Sequence, residues 1–207
     1  MTTLEESIQT NWVIITGGPS IGKSKLITHL SFLGYSTSPE PARIFIDDEL
    51  SKGKALEEIR KDDEKFQKRA ISLKMEIEAR THSQDLVFFD RGLPDGIVFL
   101  NRCKSNPAYV IEGCKKRRYK AVFLLDMLPF YVQDYARIES LDTSTVIHEE
   151  LRNCYLDLGY DVIPVPVAPI SERALFILNE LKDIDLKTRK VSEVLKATET
   201  SKIPKAF

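Results

Sequence analysis

Gly17-Gly18-Pro19-Ser20-Ile21-Gly22-Lys23-Ser24 completes the pattern G-x-x-x-x-G-K-[ST]. It stands between an apolar run, Trp12 to Thr16, and a helix-like run from about Lys23 to Phe32. No other stretch limits the fold so tightly, because such a loop works only where a buried strand turns into a helix. Glycines admit left-handed backbone and bring N–H groups toward phosphate oxygens. The helix N-terminus behind them adds partial positive charge. Gly17 to Ser24 is therefore the expected nucleotide-binding segment. Lys23 is placed to reach the β and γ phosphates, and Ser24 to ligate Mg²⁺. The cofactors this implies are ATP, or GTP, and Mg²⁺.

The rest of the chain repeats the strand–helix alternation. Tyr35 to Ser38 reads as a second strand, and Pro39 and Pro41 stiffen the turn after it. A long charged helical region, about 42–83, carries Leu56, Ile59, Phe66, Ile71 and Met75 on one side and breaks near Ser51 to Lys54. "DLVFFD" (Asp85 to Asp90) and "AVFLLD" (Ala121 to Asp126) read as a third and a fourth buried strand. Helical patterns lie between them, near Asp95 to Arg102 and Pro107 to Cys114. Thr143 to Leu158 reads as a helix, "GYDVIPVP" as a fifth strand, and "SERALFILNELKDI" as a last helix with Ser171 as N-cap. Five alternations with near-continuous apolar strands predict an α/β fold, a parallel sheet covered by helices on both faces. The expected organisation is one domain over 1–184 and a polar tail over 185–207. A short helix around Val191 to Lys196 and a disordered end are expected in that tail.

Composition agrees with one soluble domain: 207 residues, 43% hydrophobic, 29% charged, net charge −1. Nothing global draws the chain to nucleic acid or acidic lipid. The N-terminus has no basic, apolar leader, and the longest apolar run is too short to span a bilayer. Cys103, Cys114 and Cys154 show no metal or redox spacing and read as reduced. A cytoplasmic location follows as the expectation. The basic run Lys115 to Lys120 precedes the fourth strand, opposite the expected site, and reads as a solvated helix end. A nucleic-acid or acidic-lipid partner there is the less favoured reading, and the three histidines read as structural.

In a doubly wound sheet, ligands bind beyond the carboxyl ends of the strands. There the sequence places Glu40 and Arg43, then Asp90, Arg91 and Asp95, then Asp126. Glu40 is a candidate catalytic base that orients or deprotonates an acceptor hydroxyl; an exposed turn carboxylate is the plain alternative. Asp90 is the candidate second Mg²⁺ ligand. Arg91 and Arg43 would steady an acceptor or bridge to Glu40. Asp95 would bind substrate or cap the next helix. Arg173 could stack on the nucleotide base or be a surface arginine.

The motifs GGPSIGKS, PEPAR, FFDRGLPDG, R-x-E-S (Arg137 to Ser140), LGYDVIPVP and SERALFIL, in that order over roughly 12–181, resemble the AAA-type "predicted ATPase" family of small P-loop NTPases. Pro-Glu-Pro and the acidic-Arg pair are also similar to deoxynucleoside kinases, and more loosely to nicotinamide riboside and thymidylate kinases. The resemblance implies a nucleoside-kinase-like sheet of order 2-3-1-4-5, with the first strand between the third and fourth. It also implies a lid at about 130–145 in which Arg137 closes over the transferred phosphate. Asp90-Arg91-Gly92 stands where deoxynucleoside kinases carry Glu-Arg-Ser. No Asn-Lys-x-Asp or Asp-x-x-Gly motif of GTPases occurs. The function expected is transfer of the γ-phosphoryl group of ATP to a hydroxyl of a small, nucleoside-like acceptor. Lys23, Glu40, Asp90, Arg91 and Arg137 would be its catalytic residues. The alternative is a regulatory NTPase that binds a protein, lipid or RNA partner.

Overall fold

A computed structural model describes residues 7–128 and 141–200, with side chains for 7–128 and 142–188. In chain order the elements are β1 (Ile8–Gln9), β2 (Trp12–Thr16), α1 (Lys23–Phe32), β3 (Ser36–Ser38) and α2 (Pro41–Ser51). Then come α3 (Leu56–Ile59), α4 (Asp63–Arg80), β4 (Val87–Asp90), α5 (Asp95–Arg102) and α6 (Ala108–Lys115). The described chain ends with β5 (Arg117–Arg118), β6 (Ala121–Leu125), α7 (Leu141–Asp157), β7 (Val162–Val165) and α8 (Ile170–Thr200).

The main sheet has the order β3-β4-β2-β6-β7 and every pairing in it is parallel. Numbered by the five strands read from sequence, that order is 2-3-1-4-5. The register sets Ile15 of β2 beside Asp90 of β4 and Phe123 of β6. The loop after β2 therefore leaves the sheet next to the end of β4. Each residue of β2 is buried, which only a central strand covered on both faces achieves. Period-two alternation divides its side chains. Val13 and Ile15 pack with Leu26, Leu30 and Ile177 of α1 and α8, while Trp12 and Ile14 pack with Tyr119, Tyr155 and Tyr160 on the opposite face.

Local signals account for the helix ends. Gly22, at φ 92°, and Gly34, at φ 90°, take left-handed conformations at the start and just beyond the end of α1. Asp62 caps α4 by accepting from the Lys65 N–H, and Asp63 and Glu64 lie in its first turn.

The structure corrects the sequence reading in four places. The helical region of 42–83 breaks twice, with the separate turn α3 between α2 and α4. Arg117 and Arg118 are not a solvated helix end: they form β5, paired in parallel with β1. Ser171 lies inside α8 rather than capping it. No separate helix begins near Val191, because α8 runs unbroken from Ile170 to Thr200. Of the expected lid, residues 130–140, Arg137 included, lie outside the described residues, and 141–145 form the first turn of α7. Among the described residues, no helix is long and apolar enough to cross a membrane.

Candidate active site

The phosphate loop follows β2 directly, with left-handed backbone at Gly17 (φ 128°), Ser20 (φ 63°) and Gly22 (φ 92°). The Lys23 side chain is fully buried, and its amine donates to the carbonyls of Gly17 (2.9 Å) and Gly18 (2.6 Å). Two helices hold the loop from outside. From α7, Ser144 donates to the Pro19 carbonyl at 2.9 Å, and His148 Nδ1 accepts the Gly18 N–H at 3.4 Å. That bond requires an unprotonated Nδ1, and burial lowers the histidine pKa. A Cβ on Gly18 would lie 2.7 Å from the Ser144 carbonyl, so glycine there permits the helix to approach. From α8, Arg173 donates to the Ile21 carbonyl at 3.1 Å and to Ala168 at 2.9 Å. The structure thus brings Arg173 to the loop's backbone as a buried prop rather than a surface arginine.

Asp90 ends β4 and is 1% exposed. Its Oδ2 accepts from the Ser24 hydroxyl at 2.9 Å, while Oδ1 has no hydrogen-bond partner. Burial, and next the charge of Glu40, push its pKa up against the opposing pull of Lys23 and Arg91. A buried carboxylate oxygen without a donor, beside a hydroxyl, is a hard-oxygen pair suited to a small divalent cation that keeps much of its own water. Ser24 and Asp90 therefore fit Mg²⁺.

Arg91 follows at φ 69°, a left-handed conformation unusual outside glycine, and its N–H donates to Ile15 O at 3.0 Å. This bend turns the guanidinium back toward the phosphate loop. Nε donates to Glu40 Oε1 at 2.6 Å, and Nη1 to Asp95 Oδ1 at 3.0 Å and Gly17 O at 3.4 Å. Burial opposes the guanidinium charge, but Glu40, Asp95 and Asp90 more than offset it, so its pKa rises above the usual arginine value. Glu40 is the N-cap residue of α2, but its side chain caps nothing and instead meets Arg91. Asp95 is fully engaged from below: Thr16 Oγ1 (2.8 Å), Tyr155 Oη (2.6 Å) and the Gly92 N–H (3.0 Å) all donate to it. It serves chiefly to fix Arg91.

Above these groups a cleft opens between α2, α3, α4 and the end of β4. Its walls include Glu40, Arg43, Arg60, Lys74, Arg91 and Phe99. Glu40, Arg43, Arg91 and Asp95, the four substrate-site candidates from sequence, all line it. Lys74 was not anticipated; it is 4% exposed, and its amine sits 3.8 Å from the centre of the Phe89 ring. Ser144, His148, Tyr155 and Arg60 were also missed. Asp126 stays at the end of β6, where its N–H donates to Val165, and it does not line the cleft.

The sequence model of the AAA domain family matches residues 12–173. The chain belongs to the AAA domain family. No curated protein is similar to it in sequence. Solved structures similar to this AAA domain share the fold of small P-loop kinases. NadR in complex with NR matches with a TM-score of 0.59 and 18% identity over 78% of the chain; the chain spans only 46% of NadR's length. Deoxyadenosine kinase from M. mycoides matches at 0.54 and 16% identity, covering 84% of the chain and 99% of the kinase. Shikimate kinase from Aquifex aeolicus matches at 0.51 and 18% identity, over 83% and 96%.

Away from the cleft, the basic run of this AAA domain is mostly engaged. Arg118 stacks over Tyr160 at 3.7 Å and donates to the carbonyls of Leu158 and Gly159. Arg117 lies 5.8 Å from the Trp12 ring, Lys115 pairs with Glu112, and Lys120 pairs with Asp185. The three cysteines are free thiols, and burial raises the pKa of each, that of Cys154 to about 12.

Proposed function

We propose that this protein is an Mg²⁺-dependent ATP kinase that transfers the γ-phosphoryl group to a hydroxyl of a small, nucleoside-like acceptor. The observation that carries the reading is the position of the Glu40–Arg91 pair. It joins an open cleft to the phosphate loop, because Arg91 touches both the Glu40 carboxylate and the Gly17 carbonyl. A switch protein needs no second cleft there.

Phosphoryl transfer has a loose transition state, so the protein's task is positioning and charge stabilisation. The loop N–H groups of Gly17 to Ser24 and the Lys23 amine hold the phosphates. Lys23 exchanges its two loop carbonyls for phosphate oxygens. Ser24 and Asp90 would hold Mg²⁺, which neutralises phosphate charge when bound. Glu40 accepts a hydrogen bond from the acceptor hydroxyl and orients its oxygen. Arg91 holds that carboxylate in place through a charge-assisted hydrogen bond, and Asp95, Thr16 and Tyr155 keep Arg91 in place. Arg43, one turn on from Glu40, contacts the acceptor. Arg137, on the segment 130–140, supplies further positive charge to the transferring group. Engagement of most of the basic run within the fold leaves little to support a nucleic-acid or lipid switch.

The test is acceptor-dependent ADP release from Mg-ATP over a panel of hydroxyl compounds. For the acceptor that responds, Glu40→Gln is expected to lower kcat by about 10²-fold or more, the usual size of a general-base contribution. ATP affinity should not change. Turnover equal to wild type in the variant would exclude this mechanism.

A further inference from the structure

The cleft is lined by four cationic side chains, Arg43, Arg60, Lys74 and Arg91, against two anionic ones, Glu40 and Asp95. Arg91 already serves both carboxylates. The other three cations come from α2, the end of α3 and α4, so no single surface run of charge explains their convergence. Lys74 is the decisive one. A lysine at 4% exposure requires compensation, because burying an ammonium is costly. The compensation in place is partial: the amine lies over the Phe89 ring at 3.8 Å and pairs with the buried Glu78, but it makes no hydrogen bond. The Glu78 oxygen it faces, Oε1 at 3.5 Å, also accepts from Tyr119 at 2.7 Å. Arg60 leans over Phe66 and reaches Asp63, itself 57% exposed on its side chain and therefore screened.

The spacing along α4 gives the arrangement a shape. Gln67, Ala70, Ile71 and Lys74 follow i, i+3, i+4, i+7 and line the cleft together. Two turns of helix span about 10 Å. The stripe is apolar in the middle, as a ring would require, with a hydrogen-bonding amide at one end and a cation at the other.

We propose that the acceptor of this site carries an oxyanion, a carboxylate or a phosphate, in addition to the hydroxyl that is phosphorylated, and that Lys74, with Arg60 and Arg43, selects for it. This rests on the kinase reading above and narrows its acceptor from nucleoside-like compounds at large to acidic ones. An oxyanion near Lys74 would give its amine the hydrogen bond it lacks and add to the charge of Glu78. Burial lowers the pKa of this lysine, and an anion in the cleft would raise it.

The experiment compares matched pairs that differ only in the anion: dTMP with thymidine, CMP with cytidine, and a cyclic polyhydroxy carboxylate with its methyl ester. Binding is measured by calorimetry in the presence of Mg²⁺ and a non-hydrolysable ATP analogue, and phosphoryl transfer is measured separately with ATP. The expected result is that at least one anionic member binds tenfold or more tightly than its neutral partner. The pair that responds distinguishes a phosphate from a carboxylate acceptor. Lys74→Met should remove most of that preference while neutral-compound and nucleotide affinities stay the same. Lys74→Arg should restore it in part, and melting curves of both variants show whether the fold is kept. If Lys74→Met does not fold, Arg60→Gln carries the same expectation. Neutral members that bind as well as their anionic partners in every pair overturn the proposal, and so does an anion preference that survives substitution of Lys74 or, where that variant does not fold, of Arg60. The kinase reading fails separately. Lys74-dependent anion binding without transfer to any compound would remove the kinase and keep the anion site, whereas transfer to neutral compounds alone would do the reverse.

Discussion

Asp90→Asn separates what the site costs in stability from what it does. The Asp90 carboxylate is buried, takes one hydrogen bond from Ser24, and leaves Oδ1 without a donor. An unsatisfied buried polar group costs about 1–3 kcal/mol. Asparagine keeps an acceptor for Ser24 and removes the charge, so we expect it to recover about 1 kcal/mol in the absence of nucleotide. For a chain of this length that is about 2–4 °C in Tm. The pH dependence has a definite sign. The folded-state pKa of Asp90 is raised by burial and by Glu40. Its favourable contribution is therefore complete below the unfolded value of about 3.9 and is lost as pH rises through the higher folded value. The stability gap in favour of Asp90→Asn should thus open from about pH 4 upward. Urea unfolding of both proteins across pH 4 to 7.5 measures it. Saturating Mg-ATP should invert the order, because a ligand at 100 times its Kd adds about 2.7 kcal/mol only to the protein that binds it well. A variant less stable than wild type at pH 7 without ligand, and equally stabilised by Mg-ATP, would refute the assignment of Asp90 as a costly, metal-seeking carboxylate.

Four further expectations follow from the same geometry. Lys23→Met should abolish measurable ATP binding while the protein still melts cooperatively, as read by calorimetry and circular dichroism. Arg173→Ala loses a cationic donor to Ile21 O, worth about 1.5–3 kcal/mol, and should weaken ATP binding about tenfold or more through the loop. Tyr155→Phe removes the hydroxyl bonded to Asp95 and should cost about 1.5–3 kcal/mol by urea unfolding, with turnover falling as Arg91 loosens. Gly92→Ala places a methyl group on the Tyr155 hydroxyl and against the ring of Tyr119, and should cost about 1–3 kcal/mol from overpacking.

The sheet and the donor half of the site were legible because their signals are local. A glycine loop between an apolar run and a helix, and carboxylates at strand ends, need no knowledge of distant partners. Glu40 and Arg91 could be named from sequence, but not as a pair: 51 positions separate them, and only the register of β3 and β4 brings them together. The loop contact of Arg173 was not legible because its target is a backbone carbonyl, which leaves no trace in sequence. Lys74 and Glu78 did carry a faint signal. They fall in phase with Phe66 and Ile71 on α4, so two charges stand on a core-facing stripe. Ser144, His148 and Tyr155 do the same beside Ile147 and Leu151 on α7. Charged or polar residues in an apolar helical phase were absorbed into the amphipathic average, yet here they line the site or brace it. The basic run misled for the opposite reason. Its charge density suggested solvent, while β1 and the rings of Trp12 and Tyr160 take up Arg117 and Arg118.

The central claim is that the phosphate loop faces an acceptor cleft built on Glu40 and Arg91. A crystal structure with a non-hydrolysable ATP analogue and Mg²⁺ tests it most directly. We expect the γ-phosphate at the mouth of that cleft, Mg²⁺ against Ser24 and Asp90, and Lys23 moved from the loop carbonyls to phosphate oxygens. A γ-phosphate directed away from the Glu40–Arg91 pair, or a cleft closed by the protein itself when nucleotide binds, would contradict the account.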